Sequence, residues 1–162
     1  MKSRIAIGLA VASFAVLGLT ACSSDSGGSK TSAPATTTSA GAQAPAAGAA
    51  LATATTSLGT IVVDGKGMTV YEYASDTQGG DSSTCTGACA SNWPAVPGSA
   101  APQLDGVTGA VATITGADGK LQLTLNGWPL YYYAGDKAAG DTTGQGVGNV
   151  WWVLTPAGEL IK

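Results

Sequence analysis

Two short runs carry most of the side chains that could do chemistry. Tyr71-Glu72-Tyr73-Ala74-Ser75-Asp76 and Tyr131-Tyr132-Tyr133-Ala134-Gly135-Asp136 each set two alternating phenols ahead of a carboxylate. In an extended strand, alternation puts Tyr71 and Tyr73 on one face and Tyr131 and Tyr133 on its counterpart. Four such rings could stack a ligand. The plainer expectation is that they pack beneath loops, with hydroxyls bonded to loop backbone or to the aspartates. Asp76 and Asp136, at strand ends, are placed to accept loop N–H groups and act as structural staples. Paired with Asp81 and Asp141 they could hold calcium, but neither loop has the ligand periodicity of a calcium motif. Acid–base cleavage of a glycoside needs an aromatic-walled cleft that the sequence does not imply. No metal site and no cofactor are expected.

Cysteine and histidine bound the chemistry further. Cys85 and Cys89 are four residues apart, and on one helical turn their α carbons would fall within disulfide range, with Ser83 or Thr84 as a candidate cap. An exported chain favours that disulfide. A redox-active pair is the alternative, yet the spacing is not C-x-x-C and no basic neighbour would depress a thiol pKa. The chain has no histidine, which removes Ser-His-Asp and Cys-His catalysis and His-ligated zinc, copper and haem as usually built. Enzymatic activity is therefore not expected.

The third cysteine has a different context. Lys2 and Arg4 precede an apolar stretch from Ile5 to Leu19 that ends in Leu19-Thr20-Ala21-Cys22. This is shorter than the roughly 20 residues that span a bilayer, and its flanks suit a cleaved leader rather than a transmembrane anchor. Residues 1–21 thus read as a signal peptide with a lipobox. The segment resembles the bacterial lipoprotein signal, which implies diacylation of the Cys22 thiol, cleavage before it, and frequent acylation of the new amino terminus. Each acyl chain contributes about 0.8 kcal/mol per buried methylene, so two or three give a stable anchor. The expected location is the extracytoplasmic face of the cell membrane.

Residues 22–51 are almost wholly Ser, Thr, Ala, Gly and Pro, with Asp25 and Lys30 as the only charges. Such a segment buries too little apolar area to offset its ordering entropy and reads as a tether, with an end-to-end distance on the order of 30 Å. An Ala-rich helix over residues 40–54 is the competing reading, against which Pro45 and Gly48 stand. Without Lys2 and Arg4 the chain carries five basic residues against ten acidic. Clustered cations are missing, so nucleic acid is not an expected partner.

Residues 52–162 must then position the motif, and their length suits one small domain. In repeat 1, about residues 58–97, Ile61 to Val63 is expected to pair through Asp64-Gly65-Lys66-Gly67 with Met68 to Tyr73. In repeat 2, about 118–157, Leu121 to Leu125 pairs through Asn126-Gly127 with Trp128 to Tyr133. Asn-Gly suits a type I′ turn, whose two central residues need positive φ. Val111 to Thr115 joins through Gly116-Ala117-Asp118-Gly119, and Val150 to Thr155 with Glu159 to Ile161 forms a closing hairpin. Adjacent Trp151 and Trp152 must face opposite ways. No segment shows a helical period. The expected fold is all-β, a small antiparallel sandwich or barrel built from two pseudo-symmetric repeats.

The two Tyr-Asp runs, the Cys85-Thr86-Gly87-Ala88-Cys89 loop before Trp93-Pro94, and the Gly144-Gln145-Gly146-Val147-Gly148 loop before Trp151 resemble a family of predicted bacterial lipoproteins. That family has a Y-x-(F/W/Y)-x-x-D signature and is also described as a secreted repeat of unknown function. The resemblance runs from about Leu58 to Pro156 and implies an envelope location and a fold, not an activity. The reading that follows is a lipid-anchored envelope lipoprotein, non-enzymatic, that binds an envelope protein or glycan through its loops or tyrosine face. The alternative is an extracytoplasmic redox accessory using Cys85 and Cys89.

Overall fold

The structure is a computed structural model that describes residues 50–162. The expected signal peptide, Cys22 and the tether up to residue 49 lie outside the described residues. Leu51, read as the last tether residue, is fully buried and bridges Leu104. The domain therefore begins before Ala52.

Each repeat opens with a hairpin. β1 (Ala52–Thr56) and β2 (Gly59–Val63) pair antiparallel from Ala52↔Val63 to Thr56↔Gly59. The strand β1 was not foreseen, because Ala-Thr-Ala-Thr-Thr continues the tether composition. Its partner decides the matter: Ile61, Val62 and Val63 are each fully buried, and a strand covered on both faces reads as a continuous apolar run. Burying each such side chain contributes about 1.5–3 kcal/mol. In repeat 2, β4 (Val111–Thr115) and β5 (Leu121–Leu125) pair as expected, from Val111↔Leu125 to Thr115↔Leu121.

Asn126 and Gly127, with φ of 51° and 82°, turn β5 into β6 (Trp128–Tyr131) as their sequence predicts. β5 and β6 pair directly at Thr124↔Pro129 and Leu125↔Trp128. Beyond these pairs residues 94–97 lie between the two strands. The Val96 N–H donates to the Leu130 carbonyl at 2.9 Å and the Leu123 N–H to the Val96 carbonyl at 2.9 Å.

Repeat 1 does the same with a segment of repeat 2. Met68 to Val70 stays with β2 through Val63↔Thr69, but β3 (Tyr71–Tyr73) leaves the hairpin. It pairs instead with β6 at Tyr71↔Tyr131 and with β7 (Trp151–Val153) from Tyr71↔Val153 to Tyr73↔Trp151. The Val62 N–H donates to the Leu154 carbonyl at 2.9 Å. Each repeat thus receives the other's returning segment.

The result is a five-stranded antiparallel sheet, β4-β5-β6-β3-β7, and a two-stranded sheet, β1-β2. The fold is all-β as expected, and of the two architectures allowed, the closed barrel is not formed. A short helix, α1 (Ala88–Asn92), is the exception to the absence of helical period. Its N-cap is Gly87 without a side-chain hydrogen bond, so neither Ser83 nor Thr84 caps it. The closing hairpin is present in shortened form, with a Leu154↔Leu160 bridge and the Ile161 N–H on the Val153 carbonyl at 3.0 Å.

Two buried clusters result from alternation along these strands. Val62, Val70, Val96, Leu123, Leu125, Leu130 and Leu154 make an aliphatic one. Ile61, Val63, Tyr71, Trp93, Tyr131, Trp151 and Val153 make an aromatic one, with Cys85. Among the described residues no helix is long and apolar enough to cross a membrane.

Candidate functional site

The duplicated motif converges on one place and its polar groups cross between repeats. The Tyr71 hydroxyl donates to Asp136 Oδ2 at 2.8 Å, and the Tyr131 hydroxyl donates to Asp76 Oδ2 at 2.5 Å. The second oxygen of each carboxylate stays within its own repeat. Asp76 Oδ1 accepts from the Thr84 backbone N–H and hydroxyl at 2.7 and 2.6 Å, and Asp136 Oδ1 accepts from those of Thr143 at 2.9 and 2.5 Å. The strand delivers the tyrosine, the loop beyond it delivers the aspartate, and the antiparallel β3–β6 register puts each next to the other's partner. Burial, and then the carboxylate each faces, pushes both phenols above the ordinary tyrosine range. They remain protonated donors.

The outer tyrosines are used differently. Tyr73 stacks on Trp151 with centroids 4.2 Å apart, Trp151 on Trp93 at 3.8 Å and 3°, and Trp93 on Tyr133 at 4.3 Å. The rings form one column. Tyr71 meets Trp93 edge-on at 5.4 Å and Tyr131 meets Trp151 edge-on at 5.2 Å, the arrangement that aromatic quadrupoles favour. Tyr73 and Tyr133 are half-buried at the ends of the column. Gly144 passes beside it so closely that a Cβ there would sit 2.8 Å from Trp93 and 2.9 Å from Tyr71.

Cys85 and Cys89 form the expected disulfide, with α carbons 5.2 Å apart. Cys85 is only 2% exposed and belongs to the aromatic cluster. Beside it a cleft of about 350 Å³ lies between the disulfide loop and the β4–β5 turn, lined by Pro94, Ala95, Pro97, Leu121 and Tyr131. The ion pair of Lys120 with Asp118, at 3.3 Å, stands at its rim. Trp93 also lines it, but both ring faces are already covered by Trp151 and Tyr133, so it presents an edge.

Buried polar groups add detail that the motif did not announce. Glu72 occupies the position matched by Tyr132 in repeat 2. The Tyr132 hydroxyl donates to Asp64 Oδ2 at 3.0 Å. Glu72 is 2% exposed, and burial, then the nearby Asp76, pushes its carboxyl up to about 7 against the opposing pull of Lys162. Gln122 is fully buried and donates through Nε2 to the Leu130 carbonyl at 2.9 Å, while its Oε1 has no protein partner.

The structure brings Tyr71, Tyr73, Asp76, Tyr131, Tyr133 and Asp136 together, chiefly as internal framework. Asp76 and Asp136 direct their oxygens at threonine and tyrosine donors, while Asp141 Oδ2 accepts the N–H groups of Lys137 and Ala138, each at 2.8 Å. Among the described residues no cluster of three or more acidic, cysteine or histidine residues is placed to hold a metal. Trp93, Thr84, Thr143 and Glu72 were not singled out as site residues. A tryptophan behind each motif, Trp93 17 residues after Asp76 and Trp151 15 after Asp136, was the available signal for the tryptophans.

A protein-family model described as a secreted repeat of unknown function matches residues 52–97 and again 112–155. No curated protein and no solved structure matches the chain. The two matched stretches contain the two hairpins, the two Tyr-Asp runs and the two returning segments that the structure interlocks, and the chain belongs to this family of secreted repeats.

Proposed function

We propose that the protein is a lipid-anchored lipoprotein of the cell envelope, a non-enzymatic module that presents the cleft beside the Cys85–Cys89 loop to an envelope protein. The carrying observation is the full use of Asp76 and Asp136 inside the fold. Each carboxylate accepts three hydrogen bonds from within the domain, which suits a scaffold rather than an acid–base pair acting on a bound substrate. The secreted character of the family supports an extracytoplasmic location, and the Leu19-Thr20-Ala21-Cys22 run supports the anchor.

The cleft chemistry favours a protein partner over a glycan. Sugars dock on open aromatic faces, and those of Trp93 are taken. An apolar side chain fits a small pocket walled by Pro94, Pro97 and Leu121, and the exposed Lys120–Asp118 pair can orient a polar backbone at the rim. The redox alternative loses one of its two points of attack to the burial of Cys85, so thiol–disulfide exchange would have to proceed at the half-buried Cys89.

A photo-cross-linking residue placed at Leu121 in intact cells tests this reading, with the same residue at Glu159 as control. Capture of a defined envelope protein from Leu121 alone is expected. Equal capture from both positions, or capture of polysaccharide, contradicts it. In the same cells Cys22→Ala should lose palmitate labelling, and its processed form should appear in the soluble fraction; a processed Cys22→Ala form retained in membranes contradicts the anchor.

A further inference from the structure

The aromatic cluster has a chemistry that packing does not use. Trp93 and Trp151 are 5% and 4% exposed and lie parallel with centroids 3.8 Å apart. Two indoles in such contact share a positive hole, and sharing lowers the cost of removing an electron from the pair. Tyr73 and Tyr133 extend the contact on both sides to half-buried rings at 4.2 and 4.3 Å. An electron can therefore leave the buried pair through π contact alone.

A buried phenol loses an electron readily only when its proton can leave too. Tyr71 and Tyr131 stand edge-on to the indoles at 5.4 and 5.2 Å, and each already aims its proton at a carboxylate oxygen 2.8 or 2.5 Å away. Thr84 and Thr143 hold the opposite oxygens of those carboxylates. The proton acceptor is thus fixed in position before any electron moves. Burial keeps both phenols protonated at rest, so the proton is present to be transferred.

We propose that Trp93 and Trp151, with Tyr71–Asp136 and Tyr131–Asp76, form a one-electron donor site whose substrates are outer-sphere one-electron oxidants, oxidised metal complexes or organic radicals, that meet the domain at Tyr73 or Tyr133. The oxidant gains one electron and the indole pair becomes a shared radical cation. An electron from Tyr71 or Tyr131 then fills that hole while the phenol O–H bond breaks and its proton passes to Asp136 or Asp76. The products are the reduced oxidant, a neutral tyrosyl radical and a protonated carboxyl. A small phenol or thiol reductant returns the electron, becoming a phenoxyl or thiyl radical and releasing its own proton to water, and the aspartate returns its proton to the tyrosine. This activity is independent of the cleft and of the partner-binding reading.

Flash-quench oxidation of the whole chain, with photoexcited ruthenium tris-bipyridine and hexaammineruthenium(III) as quencher, tests the proposal. The parent protein should show a broad near-infrared band from the shared hole, followed by a tyrosyl radical that forms more slowly in D2O. Trp151→Phe should lose the near-infrared band. Combined Tyr71→Phe and Tyr131→Phe should lose most of the tyrosyl signal, whereas Tyr132→Phe should keep it. A parent spectrum of isolated indole radicals without the near-infrared band, or tyrosyl formation insensitive to D2O, overturns the proposal without reliance on any variant that folds poorly. Tyrosyl yield unchanged in the folded double variant overturns it as well.

Discussion

Tyr71 and Tyr131 face each other across the β3–β6 ladder, so the axis relating the two repeats passes between them. An antiparallel pair of equivalent strands must exchange whatever projects beyond each strand end. Asp76 therefore arrives beside Tyr131 and Asp136 beside Tyr71, and the returning segments at residues 94–97 and 151–154 cross in the same sense. Duplication here is not two domains in series. It is one core that neither half can complete.

Cutting the chain between repeats should therefore leave a complex, not two domains. Residues 99–101 are exposed, and fragments ending and beginning there should each lack the near-ultraviolet signal of packed aromatics and regain it on mixing. A cooperative melt from either fragment as a monomer would contradict the exchange.

Gly144 is a steric requirement rather than a turn requirement. A methyl group there meets two buried rings at under 3 Å, and neither ring can yield without breaking the column. Gly144→Ala should destabilise the domain by about 1–3 kcal/mol, measured by urea unfolding, whereas Gly140→Ala, which meets open space at positive φ, should act only through backbone strain. Equal stability of Gly144→Ala and the parent would place the column elsewhere.

Glu72 predicts a pH dependence. Its carboxyl is raised from 4.5 to about 7 in the folded chain, so the folded state binds the extra proton in that window and stability falls as pH rises through it. The full span corresponds to at most about 3 kcal/mol, reduced wherever Lys162 swings in to meet the charge. Glu72→Gln should flatten the fall between pH 5 and 8 (about the span of the two pKa values) and gain its advantage at the alkaline end. A parent whose stability rises across that window would contradict the assignment.

The disulfide should be structural. Its ring is small, so the paired Cys85→Ala, Cys89→Ala protein should lose roughly 2 kcal/mol and keep its sheet. The buried Cys85 should hold the couple below about −300 mV. A potential near that of cytoplasmic thiol couples would revive the redox reading of the cysteines.

Much of this framework is legible in the chain. Asn126-Gly127 announces its turn and the repeated tyrosine-to-aspartate spacing announces a staple, whereas alternation in Leu121 to Leu125 suggests one solvated face and the structure instead buries Gln122 and Thr124 and exposes Leu121. The sequence does not announce which aspartate each tyrosine takes, because pairing across a ladder is set by register, not by nearness in the chain. β1 hides in tether-like composition, since Ala and Thr acquire a strand only from the buried β2 beside them. The tryptophan column hides for a related reason: Trp93 and Trp151 meet only after both returning segments have crossed.

The central claim is that hydroxyl and carboxylate are exchanged between repeats, and a double-mutant cycle reads it directly. Tyr71→Phe with Asp136→Asn should show a coupling of about 1 kcal/mol or more in unfolding free energy, and Tyr71→Phe with Asp76→Asn a coupling within about 0.5 kcal/mol. Coupling of Tyr71 to Asp76 instead, within its own repeat, would contradict the account.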